Sequence, residues 1–233
     1  MKKLFAALLA TVAFAPLSPA SAADIEAPAA YDWTGFYLGV HGGYGWGKSE
    51  TNDLYAYDLE PDGWVGGAQA GYNYQLPSNV VLGVEADVSF GNLKDDSLDL
   101  TQIGNSVIPT EAEATVKSFG SVRARAGYAF DRVLPYVTGG LGWARQEVDY
   151  FQDYLPNLPG TFVNNLNESQ TYFGWTVGAG IEAALTDNIT AKIEYLYSDL
   201  GTQKYAGNAF GIDYEENIEL EVQTVRLGLN YKF

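Results

Sequence analysis

The ten residues Thr224-Val225-Arg226-Leu227-Gly228-Leu229-Asn230-Tyr231-Lys232-Phe233 alternate without a break. Val225, Leu227, Leu229, Tyr231 and Phe233 share one parity, and Thr224, Arg226, Gly228, Asn230 and Lys232 share the other. Successive side chains of a strand point to opposite faces, so this segment reads as a strand with oil on one side and a wet space on the other.

Working back toward the N-terminus, the pattern recurs seven times. Phe36, Leu38, Val40, Tyr44 and Trp46 oppose Tyr37, Gly39, His41, Gly43 and Gly45; Trp64, Ala68, Ala70, Tyr72 and Tyr74 oppose Gly67, Gln69, Gly71 and Asn73. Val80, Leu82, Val84, Ala86, Val88 and Phe90 oppose Gly83, Glu85, Asp87 and Ser89, while Val122, Ala124, Ala126, Tyr128 and Phe130 oppose Ser121, Arg123, Arg125 and Gly127. The fifth strand is the least regular: Val137, Leu141 and Trp143 face Thr138, Gly140 and Gly142, with Pro135 and Gly139 interrupting. Phe173, Trp175, Val177, Ala179 and Ile181 oppose Gly174, Thr176, Gly178, Gly180 and Glu182; Ile189, Ile193, Tyr195 and Tyr197 oppose Thr190, Lys192 and Glu194. Eight such segments of roughly 9–11 residues predict an all-β chain, an eight-stranded antiparallel transmembrane β-barrel over residues 33–233.

The connections set its orientation. Short links at 75–79, 131–133 and 186–188 alternate with long ones at 47–62, 91–113, 147–169 and 201–217. Barrels of this kind keep short turns in the periplasm and long loops outside, so both termini are expected in the periplasm. The four long segments hold 17 of the 29 acidic residues and only Lys48, Lys94 and Lys204 as bases. Trp33, Trp46, Trp64, Tyr74, Tyr128, Trp143, Tyr197 and Tyr231, near strand ends, are expected in aromatic girdles at the two lipid interfaces.

Ahead of the barrel, Lys2 and Lys3, an apolar run from Leu4 to Phe14, and Ala20-Ser21-Ala22 read as a cleaved signal peptide over 1–22. Residues 23–32 are then a periplasmic N-terminal segment. Without the two leader lysines, 11 basic residues stand against 29 acidic ones, which argues against nucleic acid as a partner. There is no cysteine, so no disulfide holds the fold. The chain is too short for the 16–18 strands of a general porin. It stops with the last strand, and no peptidoglycan-binding domain is expected to follow.

Trp33-Thr34-Gly35-Phe36-Tyr37-Leu38-Gly39 with Gly42-Gly43-Tyr44-Gly45-Trp46-Gly47 resembles the porin-like outer-membrane proteins of alphaproteobacteria. The likeness continues at residues 66–74, at Arg123-Ala124-Arg125-Ala126-Gly127-Tyr128, at Pro135-Tyr136-Val137-Thr138-Gly139-Gly140 and at residues 225–233. It implies an OmpA-like eight-stranded barrel among surface antigens and hemin-binding proteins. Leu229, Tyr231 and Phe233 resemble the C-terminal signal read by the barrel-assembly machinery.

Inside the barrel, Glu85, Asp87, Glu182 and Glu194 are matched in number by Arg123, Arg125, Lys192 and Arg226, with Lys117 and Lys232 nearer the strand ends. An eight-stranded barrel is just wide enough for side chains to fill it, and charges in it must be paired. A static polar core is the favoured reading and a gated ion path the alternative, for which inward glycines leave room for water. His41, the sole histidine, points inward; a hydrolase built on it requires a serine to converge on it. No metal-ligand spacing is present, and no enzyme activity, cofactor or metal is expected. Asp95, Asp96, Asp99, Asp213, Glu215 and Glu216 read as a solvated acidic surface, and loop aromatics such as Tyr55, Tyr150 and Tyr214 as packing or contact residues. The function expected is structural and surface-interacting, with outer-membrane lipid and lipopolysaccharide as partners. The alternatives are a narrow solute or ion pore, or hemin binding, against which the acidic, histidine-free long loops weigh.

Overall fold

The alternating segments pair in chain order, each with the next, and the last returns to the first. A computed structural model describes residues 31–51, 60–103, 106–153, 163–209 and 212–233. Its strands are β1 (Gly35–Thr51), β2 (Asp62–Gln75), β3 (Val80–Ile103), β4 (Ser106–Tyr128), β5 (Val133–Asp153), β6 (Val163–Ala184), β7 (Ile189–Ala209) and β8 (Ile212–Lys232). They form one closed antiparallel barrel. The closing seam of β1 and β8 runs from Tyr37↔Lys232 to Thr51↔Ile218, which leaves no free edge along it. The expected leader over 1–22 and the segment over 23–32, apart from Tyr31 and Asp32, lie outside the described residues.

Parity decides burial as the alternation requires. Phe36 is 66% exposed and Leu38 58%, while Tyr37 between them is 4% exposed. The same holds for Val122 and Leu227 outside against Arg123 and Arg226 inside. An apolar belt of this extent, wrapped around the whole wall, is stable in lipid and would not be stable in water.

The three short turns stand at one end. Asn79 and Asp131 adopt positive φ (64° and 52°), a conformation that Asn and Asp tolerate better than most side chains. In the third turn the Thr186 hydroxyl accepts from the backbone N–H groups of Asn188 and Ile189.

The structure corrects two expectations, the first at the other end and the second at the mouth beside the short turns. The strands run 14–24 residues, well past the expected 9–11. Most of the expected long loops are therefore paired strand: β3 and β4 pair up to Ile103↔Ser106, and β7 and β8 up to Ala209↔Ile212. Beyond the membrane water wets both faces, so backbone pairing persists without the side-chain alternation that marks a membrane strand. Pairing between β6 and β7 stops at Trp175↔Asp199, and between β2 and β3 at Asp62↔Lys94. Among the described residues, the wall thus continues outward as a β3–β6 sheet and a separate β7–β8 hairpin, with β1 paired along β8 as far as Thr51↔Ile218. Trp33 is the second correction: it is 1% exposed and sits inside the barrel mouth rather than in a lipid girdle.

Candidate functional site

The eight charged residues Glu85, Asp87, Arg123, Arg125, Glu182, Lys192, Glu194 and Arg226 are all buried and form two networks that cross the lumen. Lys117, expected inside near a strand end, is instead turned outward by a register shift, its side chain 53% exposed, and Lys232 is half-buried at the short-turn end. Arg123 on β4 donates to Glu85 at 2.6 Å, to Asp87 at 3.1 Å and to Glu194 on the far wall at 3.1 Å. Arg226 on β8 bridges Asp87 at 2.9 Å and Glu194 at 3.0 Å, and Lys192 on β7 reaches Glu85 at 2.7 Å. The second network is Arg125 with Glu182 at 2.8 Å. Glu182 and Lys192 are register partners between β6 and β7, yet their ion pairs run across the lumen to Arg125 and Glu85. Four positive and four negative groups close on themselves. In a low-dielectric interior that balance is what makes the charges tolerable.

Neutral residues complete the set. Tyr37 donates to Glu85 at 2.8 Å, Tyr136 to Glu194 at 3.1 Å, and Asn230 to Glu182 at 2.8 Å. Ser121 donates to Asp87 at 2.5 Å, and the Thr190 hydroxyl donates to Glu182. Each carboxylate therefore accepts from three different side chains, so its removal from water is matched by hydrogen bonds. The Arg125 guanidinium also lies 3.8 Å from the Tyr136 ring centre, a cation–π contact. The sequence reading missed Tyr136, although it shares parity with Thr138 and Gly140; Pro135 and Gly139 obscured that strand.

Two inward glycines make the packing possible. Gly71 faces Tyr37 in the β1–β2 register and Gly180 faces Tyr136 in the β5–β6 register. A Cβ at Gly71 would fall 2.3 Å from the Tyr37 oxygen, and one at Gly180 would fall 2.6 Å from the Tyr136 oxygen. The space expected to hold water at these glycines is taken by tyrosine rings. A cavity of about 10 Å³, room for one water molecule, lies among Asp87, Ser121, Thr176, Ser198, Thr224 and Arg226.

Apolar layers bracket the charges. Toward the long-strand end Val65, Leu93, Val116, Phe119, Ala144, Tyr172, Leu200, Leu220 and Val222 form one buried cluster. At the short-turn end Tyr31, Trp33, Val81, Ala129, Leu134 and Ala184 form another. The inward face is thus not polar throughout as expected. Val65 shares the parity of Gln69, and Leu220 and Val222 share that of Arg226, so following each inward row past its polar part finds them.

The short-turn mouth is closed by the residues before β1. The Trp33 indole N–H donates to the Asp131 carbonyl at 3.0 Å, and the Tyr31 N–H donates to the Asp131 carboxylate at 3.1 Å. The Tyr31 ring stacks edge-on against Trp33, with the Lys232 ammonium 4.4 Å from its centre. Burial, reinforced by the Glu182 carboxylate, pushes the Tyr31 phenol up to about 12.

His41 is buried between Gln69, whose side-chain oxygen is 2.5 Å from Nδ1, and Ser89, whose hydroxyl is 2.8 Å from Nε2. A serine does converge on the histidine. Ser89, however, is 0% exposed and also accepts from Arg226 at 3.4 Å. The side chains of the acidic residues Asp95, Asp96, Asp99, Asp213, Glu215 and Glu216, and of the loop aromatics, lie outside the described residues. On the lipid face, Leu229, Tyr231 and Phe233 are all at least half exposed, and the Phe233 N–H donates to the Phe36 carbonyl at 2.9 Å.

Comparison with known proteins agrees with this geometry. Residues 6–233 match the outer membrane protein beta-barrel domain. The chain is 37% identical to the 31 kDa outer-membrane immunogenic protein of Brucella melitensis biotype 1, over 97% of this chain and 98% of that one. It is 34% identical to the 25 kDa outer-membrane immunogenic protein of Brucella abortus biovar 1, covering 92% and 86% of the two chains. The 22 kDa outer membrane protein of Rhizobium leguminosarum bv. viciae is 34% identical, covering 89% and 82%. With a lipid-wetted wall, eight closed strands and a match spanning nearly its whole length, the chain belongs to the outer membrane protein β-barrel family and resides in the outer membrane.

Proposed function

We propose that the protein is a non-conducting, non-catalytic barrel that contributes to outer-membrane integrity and displays acidic strand extensions at the cell surface. The observation that carries this reading is the layered lumen. Two neutral ion networks, eight charged groups in all, lie between two buried apolar clusters, and such a stack offers an ion neither a hydrated path nor an unpaired counter-charge. Inaccessible Ser89 weighs against hydrolysis at His41. The acids of segments 91–113 and 201–217 give the outward end its character, and the named Brucella relatives are immunogenic outer-membrane proteins. Outer-membrane lipid and lipopolysaccharide are the surrounding partners in this proposal. The outward row Leu229, Tyr231 and Phe233 serves the barrel-assembly machinery as its docking strand.

Planar-bilayer recording of the refolded protein tests the reading. Silence is the expected result; steady openings that change with Arg123→Met would overturn it in favour of the narrow pore.

A further inference from the structure

The outward-facing rim just above the lipid belt is unequally charged around the barrel. On the β7–β8–β1 wall the rim residues are Asp199, Glu219 and Glu221 with Lys48, and Glu221 accepts from the Tyr197 hydroxyl at 2.7 Å. On the β3–β5 wall they are Lys94, Lys117 and Arg145, with Asp62 and Glu147 beside them.

Local geometry turns all three cations outward. Lys94 is exposed and follows Leu93, which is fully buried in the lumen. Arg145 is exposed between buried Ala144 and Gln146. Lys117 sits at a register shift between Val116 and Ser118, and this bulge adds an extra residue to the outer side. Its side chain is 53% exposed and pairs with Glu147. Arg145 donates to the Ser169 hydroxyl at 3.1 Å and, among the described residues, makes no ion pair. Because Lys94 pairs with Thr115 and Arg145 with Ser118, the cations occupy three adjacent strands at nearly one height, about 10 Å across.

Beneath them is the aromatic edge of the lipid belt. Trp143 lies two residues below Arg145, roughly 7 Å down the strand. It stands in register with Phe173, which is 71% exposed. A Cβ at Gly120 would fall 3.0 Å from the Trp143 indole nitrogen, so the ring lies across β4 directly under the bulge. Tryptophan at this depth marks the boundary between hydrocarbon and headgroups. Cations one step above it meet the headgroup layer.

We propose that Lys94, Lys117 and Arg145 form a binding site for the phosphate groups of an outer-leaflet glycolipid of the lipid A type, whose acyl chains lie along Trp143 and Phe173. Lysine and arginine on three strands match a phosphate's several acceptor oxygens. Among the described side chains two carboxylates, Asp62 and Glu147, stand beside the three cations. The inference rests on the outer-membrane placement and is independent of whether the lumen conducts.

Binding of diphosphoryl lipid A to the refolded protein in detergent, compared with fully dephosphorylated lipid A, tests the site. The variant Lys94→Gln/Lys117→Gln/Arg145→Gln should bind the diphosphoryl form about tenfold or more weakly, and the dephosphorylated form as the parent does. Glu147→Gln releases Lys117 and should tighten binding about threefold, with the effect shrinking at high salt. This second variant keeps the proposal testable if the triple variant does not refold, as judged by heat-modifiable gel mobility. Equal binding of the two lipids, indifference to both variants, or displacement by millimolar inorganic phosphate would overturn it; the last would mark a free-anion site instead.

Discussion

The charged layer of the lumen and the apolar layer above it fill the same tube by opposite physics. The first is a closed set of partners, in which Arg123 serves three carboxylates on two walls. The second is a set of interchangeable contacts among Leu93, Phe119, Leu220 and their neighbours. Losing one member of an ion network strands the others as buried unpaired charge; losing one member of an apolar cluster leaves a hole that can partly close. The charged layer therefore depends on every one of its members, whereas the apolar layers stopper the tube and tolerate change better.

The largest effect expected is therefore from Arg123→Met. Urea titration of the barrel folded in lipid vesicles should show a loss of about 3–5 kcal/mol. Removing both partners is gentler: Arg125→Met with Glu182→Gln should lie closer to the parent than Arg125→Met alone, and a fully additive double variant would contradict the paired account. In the apolar layer Leu93→Ala should cost less than Arg123→Met, toward the lower end of the about 2–5 kcal/mol usual for such a truncation. If it costs as much as Arg123→Met, the contrast drawn above loses its basis.

Gly71→Ala acts at the edge of the charged layer, beside Tyr37. The new methyl group must displace the Tyr37 ring that donates to Glu85, and about 1–3 kcal/mol of stability should go with it. The smallest effect belongs to the short-turn mouth. The buried Tyr31 hydroxyl has no hydrogen-bond partner among the described residues, so Tyr31→Phe should leave stability within about 0.5 kcal/mol of the parent at neutral pH. At high pH the two should separate. The folded mouth raises the phenol from 10 to about 12, so its contribution is intact below pH 10 and fades as pH climbs toward 12, a loss that the phenylalanine variant lacks.

Much of this arrangement was legible from alternation alone. Segments such as 80–90 and 224–233 touch lipid on one side, and lipid tolerates no charge, so the apolar row is compulsory and its parity fixes which residues face the lumen. Glu85, Arg123 and Arg226 followed directly. The strand extensions did not. Beyond the lipid belt nothing forces a period of two, so residues such as 95–103 read as loop although their backbones pair. Trp33 was misread for a related reason, since an aromatic residue suits a lipid interface and a plugged mouth equally well.

Alternation along the chain prescribes the eight-stranded wall, its outward face and the balance of charge within, because the solvent on each side of the wall is written into every second residue. Which acid meets which base, the filling of the space above Gly71 and Gly180 by Tyr37 and Tyr136, and the apolar layers that cap the charges emerge from the folded barrel alone. Those contacts join strands across the lumen. Their geometry depends on barrel closure and on the height of each residue along its tilted strand, and no local period carries either.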